Sequence, residues 1–566
     1  MTILKNNLPP LGKSIYDLTL DLVGIQSVSR TKGERRIADH IQERLAKLDY
    51  FKQYPQQLIS CPMGNTDQRN ILALVRGKKD PSDQTLLYLG HMDTVDVKEY
   101  KTLEPLACDP DGLMKALEKC DLPDEVSEDL KSGRWLFGRG TADMKTGVAA
   151  LICLLEKIAA APDTFSGNIA LCLVCDEEAD SQGMISMAGP LEAMAVREHL
   201  NFVGAINTDV VTQMDGSSKD KRHMYLGAMG KAVPGVFVVG KAAHVGESLQ
   251  GFDANMFLSR LTWLVDGNMA LADHFNKEFT HPPVSLKQAD LKTDYNGQVP
   301  FEAYAYYNIL NYKRNVSQVM EIFQTLAGQA FEDCMTRLET QTRTFFDKNK
   351  TTPMPVNRSY RVMDFSQLCA HVREHKGAKV LDNAMDEICQ SMGTYPELRD
   401  HSLALVQKVW HVSGLSGPAA IIFLMPPYYP ANDPEFEDPK FKWFNQKTLA
   451  ALTPYLGRTQ KTPYDIRLDR FFPFLSDASF CAYTEGRENK AVLEENMPCW
   501  ERGWAIDIEK IRRLNIPVLD MGVHGKDFHK LYERVHVPYS METLPGLIQA
   551  VTLELLNPAQ EDLDTL

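Results

Sequence analysis

At 566 residues the sequence is longer than one hydrophobic core usually supports, so we expect more than one domain. Hydrophobic residues make up 44% and charged residues 24%, which is typical of a globular protein. The net charge of −14 argues against a nucleic-acid-binding surface, because such a surface needs a basic patch.

The N-terminal stretch MTILKNNLPPLGKSIYDL lacks a long apolar segment and a small-residue cleavage site, so we expect no signal peptide. No apolar run approaches the ~18–20 residues of a membrane-spanning helix. The 11 cysteines are odd in number and lack the spacing of a disulfide framework, which favours reduced thiols. These features predict a cytoplasmic protein that binds neither a membrane nor a nucleic acid.

The first part of the chain predicts alternating helices and strands. Residues 14–47 indicate two helices joined by a turn, and MKTGVAALICLLEKIAAA indicates a third helix. The apolar runs typical of buried strands are NILALV (70–75), TLLYLG (85–90), NIALCLVC (168–175) and VGAINT (203–208). This alternation predicts an α/β domain whose mostly parallel sheet is covered by helices on both faces.

The pattern changes after residue 222. Two strand-like runs lie in MYLGAMGKAVPGVFVVGKAAH, followed by a helix at 253–268, the strand-like FEAYAYYNIL and a long helix at 316–346. That order predicts a smaller α+β unit inserted into the α/β domain. Further apolar strands follow at 418–429 and 515–522, where the α/β character returns.

We therefore predict three segments. Residues 1–222 form the first part of a catalytic domain, 223–376 an inserted α+β lid domain, and 377–566 the second part of the catalytic domain. Residues 430–470, rich in Pro, Asp and Lys, receive no structural assignment.

Side chains able to bind a metal stand where predicted strands end or helices begin. They are His91 and Asp93 in GHMDTVDV, Asp143 in GRGTADMKTG, Glu177 and Glu178 in LCLVCDEEADSQG, Asp209 in VGAINTDVV, and His524 and His529 in GVHGKDFHKLYERV. Taken singly, each has an ordinary structural explanation, such as a turn aspartate, a helix N-cap or a solvated acidic turn. In open α/β sheets, however, ligands bind at the carboxyl ends of the strands.

Taken together, these residues supply the nitrogen and oxygen ligands that zinc accepts. Five or six ligands exceed the need of one tetrahedral ion and suit two ions ~3.5–4 Å apart that share a bridging carboxylate. Asp93 is placed to accept the second ring N–H of a metal-bound His91, which would fix the histidine tautomer. The repulsion among Asp176, Glu177 and Glu178 is then relieved by cations that the chain itself does not contain.

Six blocks of the sequence, in order, resemble the signatures of one enzyme family. They are GHMDTV, GRGTADMKTG, DEEADSQG, GKAAHVG, SDASF and DFHKLYERV, and they span residues 91 to 535. The chain resembles the dinuclear zinc metallopeptidase family of glutamate carboxypeptidase, aminoacylase and succinyl-diaminopimelate desuccinylase. Its length and its C-terminal half make it most similar to the RocB-like branch, named for arginine utilisation. The resemblance implies an α/β catalytic domain with a mostly parallel central sheet flanked by helices, and an inserted smaller α+β lid and dimerisation domain.

The resemblance also implies roles for individual residues. The zinc ligands would be His91, Asp143, Glu178, Asp209 and His529. Asp143 would bridge two Zn²⁺ ions, for which Co²⁺ or Mn²⁺ could substitute. Glu177 would be the general base and Asp93 would orient a ligand histidine. His244 would reach an active site, in dimeric members that of the other subunit, to polarise the scissile carbonyl.

The sequence departs from the family pattern at two places. Where the lid usually has an arginine that holds the substrate carboxylate, the strand AYYNILNYKRN offers Asn308, with Arg314 beyond it. These two residues are the candidates for substrate binding. The usual Gly-Ser after the glutamate pair is replaced by Ala179, Asp180 and Ser181, which adds a fourth acid near the site.

These observations predict a zinc-dependent hydrolase of an amide or peptide bond in a small substrate, such as a dipeptide or an N-acyl amino acid. The RocB-like resemblance points toward amino-acid catabolism, including that of arginine. The alternative is a catalytically silent protein that binds or senses a ligand on the same fold; the intact Glu177 counts against it. A one-metal deaminase is excluded because the H-x-E…P-C-x-x-C pattern is absent. A homodimer formed through the lid domain is a further expectation from the family.

Overall fold

A computed structural model describes residues 5–64, 66–212, 221–393 and 397–557. The chain divides into two compact units. The first comprises Met1–Met229, Asn432–Thr484 and Asp507–Leu566, and the second comprises Gly230–Ala431 and Glu485–Ile506. In the described residues, no helix combines the length and the apolar character that crossing a membrane requires. All eleven cysteines are free thiols.

A nine-stranded sheet forms the centre of the first unit. In spatial order its strands are Leu58–Pro62, Arg69–Arg76, Asn168–Val174, Gln84–His91, Asn201–Asn207, Val518–Asp520, Lys221–Leu226, Asp465–Asp469 and Gly457–Arg458. The four strands from Asn168–Val174 to Val518–Asp520 run parallel, as do Lys221–Leu226 and Asp465–Asp469; the other neighbours pair antiparallel. Parallel central strands end at one edge, and that edge carries the site described below.

The central strands are buried along their whole length, which explains their continuous apolar sequences. The helices of the first unit are Pro10–Val23, Lys32–Ala46, Asp49–Gln53, Pro110–Leu117, Asp124–Ser132, Thr146–Ala160, Gln182–Glu198, Pro439–Leu452, Ile508–Leu514 and Leu544–Leu556. Thr146–Ala160 is apolar on nearly every side and is buried along most of its length. The predicted α/β class, with helices flanking a large sheet, is confirmed.

A small three-stranded sheet also belongs to the first unit. It pairs Trp135–Phe137 with Arg534–His536, and Arg534–His536 with Gly525–Lys526, all antiparallel. The loop between the last two strands carries His529.

The second unit is built on a five-stranded sheet. Its strands, in spatial order, are Val284–Asp290, Glu302–Asn311, Gly230–Val239, Ala419–Tyr429 and Arg361–Asp364. Only the last pair is parallel. Its helices are Ala254–Val265, Val316–Lys348, Phe365–His375, Ala378–Cys389, Leu398–Ser413 and Arg487–Asn496, and a small hairpin pairs His274–Phe275 with Glu278–Phe279.

The second unit extends beyond the predicted inserted segment 223–376. Strand Ala419–Tyr429, assigned from the sequence to the catalytic domain, pairs with Gly230–Val239 over eight positions and therefore belongs to the second sheet. Conversely, residues 430–470 contain helix Pro439–Leu452 and strand Asp465–Asp469, which extends the nine-stranded sheet. The strand order, which local sequence patterns do not encode, decides these boundaries.

Candidate metal centre

Three predicted ligands meet at the carboxyl ends of the central parallel strands. His91 ends strand Gln84–His91, Asp209 lies two residues beyond Asn201–Asn207, and Asp143 precedes helix Thr146–Ala160. The Nε2 atom of His91 lies 3.1 Å from Oδ1 of Asp143 and 3.9 Å from Oδ1 of Asp209. The side chains are 2%, 9% and 7% exposed, respectively. We call His91, Asp143 and Asp209 the inner ligand group.

A second set of ligands shares Asp143. The Nε2 atom of His529 lies 3.1 Å from Oδ2 of Asp143 and 2.9 Å from Oε2 of Glu178. We call Asp143, Glu178 and His529 the outer ligand group. The His529 side chain is 45% exposed, so this group opens toward solvent. The two oxygens of Asp143 thus face different histidines, which is the arrangement required of a bridging carboxylate.

The backbone of Asp143 is fixed by a buried ion pair. One carboxylate oxygen of Glu533 accepts hydrogen bonds from the N–H groups of Ala142 and Asp143, at 3.1 and 3.3 Å. The other oxygen accepts from the Arg139 guanidinium at 2.6 Å. Both charged side chains are at most 1% exposed. Because the pair holds two consecutive amides, the direction of the Asp143 carboxylate is set before any ligand arrives.

The glutamate pair lies on a tight turn after strand Asn168–Val174. The N–H groups of Glu177 and Glu178 donate to the two carboxylate oxygens of Asp93, at 3.3 and 3.1 Å. Gly183 lets the turn fold back onto the strand end, because an added Cβ there would collide with the Cys175 carbonyl. Oε2 of Glu177 lies 4.0 Å from Nε2 of His91. Ligand atoms of His91, Glu177 and Glu178 all lie within 4.8 Å of one another, and Glu178 also pairs with His529 of the outer ligand group.

Asp93 orients His91 in a way that differs from the prediction. The Nδ1 atom of His91 is 3.1 Å from the main-chain oxygen of Asp93 and 3.6 Å from its nearer carboxylate oxygen. The main-chain carbonyl is therefore the closer acceptor for a proton on Nδ1. This contact leaves Nε2 free to face the carboxylates, while the Asp93 side chain holds the turn of the glutamate pair.

The acids and histidines of the centre perturb each other strongly. Burial raises the pKa of Glu177 well above its usual value and the pKa of Asp209 to about 7. Burial disfavours the charged form of His529, but hydrogen bonds to Asp143 and Glu178 raise its pKa to about 11. His91 behaves in the same way: burial opposes its charge, and Asp143 and Asp93 raise its pKa well above the usual value.

The donor set fits divalent metal ions. Ligand atoms of His91, Asp143 and Asp209 lie within 4.8 Å of one another, as do those of Asp143, Glu178 and His529. Imidazole nitrogens and carboxylate oxygens in groups of three suit zinc and related ions, with room for a water or substrate atom as a further ligand. His524, the runner-up ligand, is buried beside Trp135 and His536 and belongs to neither group.

The other predicted site residues lie in the second unit. His244 is exposed, and its Nδ1 accepts a hydrogen bond from the N–H of Gly246 at 3.1 Å. Asn308 lies on strand Glu302–Asn311 opposite Val284. The guanidinium of Arg314 donates to the main-chain oxygen of Leu271 at 2.6 Å, so it already has a partner within the unit. The roles of these residues stay predictions.

The sequence did not single out several charged residues near the centre. Asp477, in the quoted block SDASF, is 2% exposed; burial raises its pKa well above the usual value, His91 opposes the rise, and Asp93 adds to it. Asp520, at the end of strand Val518–Asp520, is fully buried and accepts a hydrogen bond from Asn207 at 2.7 Å. The position of Asp520 at a strand end and the place of Asp477 in the block SDASF were the available signals.

Comparisons with known proteins identify the family and the fold of the chain. The family model described as "Peptidase family M20/M25/M40" matches residues 87–535. The chain is 31% identical to the "Uncharacterized protein YqjN" of Bacillus subtilis (strain 168) over 546 residues, 96% of each chain. It is 29% identical to "Protein RocB" of the same organism over 548 residues, 96% of this chain and 95% of that one. The crystal structure of aminopeptidase PepT from Bacillus cereus ATCC 10987 shares the fold, with a TM-score of 0.51 at 13% identity, over 96% of this chain and 99% of that chain.

Proposed function

This chain belongs to peptidase family M20/M25/M40, a family of metal-dependent hydrolases of peptide and amide bonds, and from that premise we propose that it cleaves an amide or peptide bond in a small substrate with two zinc ions bound. The observation that carries the proposal is the Asp143 carboxylate, whose two oxygens each lie 3.1 Å from a different histidine. A carboxylate shared in this way suits two ions better than one.

The inner and outer ligand groups would hold the two ions. When bound, the ions would lower the pKa of a water toward neutrality and polarise the substrate carbonyl. Glu177 is the residue that moves protons: its Oε2 atom takes a proton from the attacking water and returns it to the leaving nitrogen. Burial raises the pKa of Glu177, which makes its carboxylate a stronger base toward the attacking water.

Other residues of the chain hold this arrangement in place. The Asp93 carboxylate holds the turn by accepting hydrogen bonds from the N–H groups of Glu177 and Glu178. The Glu533 carboxylate holds Asp143 by accepting a hydrogen bond from the N–H of Asp143. We assign to His244 the polarisation of the scissile carbonyl, and to Asn308 and Arg314 contacts with the substrate. The exposed His244 ring has Nε2 available for such a contact, because its Nδ1 is engaged by Gly246.

The similarity to RocB supports a proposal for the substrate class. We propose a dipeptide, an N-acyl amino acid or a related amide, with amides of arginine first in order of testing. We also propose that the enzyme acts in amino-acid catabolism in the cytoplasm. Where zinc is limiting, Co²⁺ or Mn²⁺ would occupy the same nitrogen and oxygen ligands.

A homodimer formed through the second unit is part of the proposal. Strand Val284–Asp290 is the outer strand of its sheet, and Val284 and Leu286 on it are 47% and 49% exposed. Trp263, on helix Ala254–Val265, is 78% exposed. Exposed apolar residues on an edge strand and a helix favour pairing with a second copy. Light scattering of the purified protein, with Trp263→Ser as the comparison, measures the mass directly.

The test of the function combines metal analysis with a substrate panel. Zinc-loaded protein is expected to contain two ions per chain and to release amine from at least one dipeptide or acylated amino acid. Glu177→Gln is the matched control, because it preserves the shape of the side chain and removes its basicity. Two bound zinc ions, together with ligand binding but no turnover by the unmodified protein, would instead establish the silent sensing protein.

A further inference from the structure

Arg30 has an unusual backbone conformation close to the metal centre. It lies in the loop between helices Pro10–Val23 and Lys32–Ala46, with φ at +62°. This left-handed region favours glycine, so a residue with a long side chain is uncommon there.

The Arg30 guanidinium connects the two acids that flank the glutamate pair. Its Nε donates to Oδ1 of Asp176 at 3.0 Å, and one terminal nitrogen pairs with Oδ2 of Asp180. The side chains of Asp176 and Asp180 are 2% and 1% exposed, whereas that of Arg30 is 28% exposed. One planar cation therefore joins the beginning of the turn to its end.

Residues of the same loop and of the helix that follows it hold the backbone of the turn that carries Glu177 and Glu178. Glu34, which is fully buried, accepts the N–H of Asp176 at 2.8 Å with one oxygen and the N–H of Arg30 at 2.6 Å with the other. Ser29 donates its hydroxyl to Asp93 at 2.6 Å, and Asp93 in turn receives the N–H groups of the glutamate pair. Ser29 in the loop and Glu34 in the first turn of helix Lys32–Ala46 thus support the turn, Ser29 through Asp93 and Glu34 through the N–H of Asp176.

These contacts divide the four acids of the turn by their partners. Asp176 and Asp180 share the Arg30 guanidinium, whose single positive charge offsets one of their two negative charges. Glu178 pairs with His529, a member of the outer ligand group, and Glu177 faces His91, a member of the inner one. Without Arg30, four buried carboxylates within five residues would repel one another, and the turn would relax in the direction that separates them.

We propose that Arg30 is a positioning residue of the metal centre: by joining Asp176 to Asp180, it fixes the turn so that Glu177 faces the inner ligand group and Glu178 the outer one. This deepens the proposed function and rests on it for the identity of the metal. It also gives a role to Asp180, the additional acid in the stretch that replaces the usual Gly-Ser of the resembled family. Asp180 is the second anchor of the guanidinium.

Arg30→Gly is the sharpest test, because glycine accepts a φ of +62° and the whole side chain, with its guanidinium, is removed. In metal-free protein, hydrogen exchange of the amides from Asp176 to Gln182 is expected to speed up at least tenfold. Zinc affinity, measured by competition with a chelator, is expected to fall by about 10–100-fold, the usual cost of losing a partner that orients a ligand. Arg30→Lys keeps the charge but has no fork, so it should restore part of the affinity.

Arg35→Ala is the matched control, because Arg35 is a partly exposed arginine on the adjacent helix and its partners are Asp39 and Asp67. In Arg35→Ala, hydrogen exchange of the amides from Asp176 to Gln182 and the zinc affinity should equal those of the unmodified protein. Asp180→Asn should reproduce part of the defect of Arg30→Gly, because it removes one of the two ion pairs of Arg30 and leaves the pair with Asp176. The double variant should be no worse than Arg30→Gly alone, because Arg30→Gly already removes the interaction with Asp180. Should Arg30→Gly fail to fold, Asp180→Asn carries the test alone.

The outcomes separate this inference from the proposed function. Unchanged hydrogen exchange of the turn amides in Arg30→Gly and Asp180→Asn would overturn the proposal that Arg30 fixes the turn. Faster exchange with unchanged zinc affinity would overturn its role at the metal centre. Absence of zinc binding by the unmodified protein would overturn the proposed function, and that result is visible before any variant is made.

Discussion

The inner and outer ligand groups share Asp143 but are supported by different structure. The inner group is built on the ends of neighbouring parallel strands, and His91 is only 2% exposed. The outer group depends on His529, which is 45% exposed and lies on a loop between two short strands with its φ at +61°. The central sheet therefore fixes the inner group, whereas the outer group depends on the contacts that hold the loop of His529.

From this difference we infer that the inner ligand group is the more rigid part of the centre and the outer ligand group the more mobile part. Backbone hydrogen bonds along a buried strand resist local opening, while loops open at lower free energy. We expect the inner group to keep its ion more tightly and the outer group to exchange its ion more readily. The following predictions test that asymmetry.

The largest effect is expected from Asp143→Ala, because Asp143 belongs to both groups. Loss of a direct ligand should reduce zinc affinity at both positions by more than the ~10–100-fold that losing an orienting partner costs. Hydrolysis should then fall below detection. Metal analysis after gel filtration measures the result; retention of one full equivalent would show that the inner group does not need Asp143.

Glu177→Gln is expected to act on turnover while sparing both groups. The amide has no proton-accepting carboxylate, so kcat should fall by about 10²–10⁴-fold, the usual contribution of a general base. Zinc content should stay at that of the unmodified protein. Kinetics and metal analysis on the same preparation provide the check, and a matching loss of zinc would assign Glu177 to the ligands instead.

His529→Ala compared with His91→Ala tests the asymmetry itself. His529→Ala should lose the outer ion and keep the inner one, whereas His91→Ala should lose the more tightly held ion. Affinity at the affected position should drop by about 100-fold or more in each case. Stepwise removal with a chelator measures both affinities. Identical titrations for the two variants would contradict a rigid half and an adjustable half.

Zinc binding is expected to release protons. Hydrogen bonds to Asp143 and Glu178 overcome the opposing effect of burial and raise the pKa of His529 to about 11 in the metal-free protein, so the ring is protonated at pH 7 and an incoming ion must displace the proton. Apparent affinity should therefore rise with pH, by about tenfold per unit for each proton released. Calorimetry in buffers of different ionisation enthalpy counts the protons, and His529→Ala should release fewer than the unmodified protein.

Much of the fold could be predicted because buried parallel strands carry continuous apolar runs. The predicted strand at 85–90 is Gln84–His91 in the structure, and the predicted helix at 316–346 is Val316–Lys348. Strand Ala419–Tyr429 was assigned to the wrong sheet, because an apolar run reports burial and not its neighbours. The family resemblance is confirmed by the match over residues 87–535.

Within the site, the sequence predicted the ligands but not what holds them. His91, Asp143, Glu178, Asp209 and His529 follow quoted motifs, and the structure brings them together. Arg30 carries no local signal, because its partner Asp176 is 146 residues away. Supporting contacts of this kind depend on tertiary structure, and one sequence contains no record of them.

The smallest effect is expected from Asp129→Asn, which acts on the outer group through its loop. Asp129, on helix Asp124–Ser132, accepts hydrogen bonds from Lys526 and from the buried Arg534 at 2.8 Å each, and these two residues flank the loop of His529. The neutral amide weakens both contacts, so outer-ion affinity should fall by about tenfold or less, with the inner ion unchanged. Asp121→Asn, in the exposed loop before the same helix, is the control and should leave both ions as they are. An equal loss at both positions would mean that the loop and the sheet support one undivided centre, because only a loop that moves separately can weaken one ion alone.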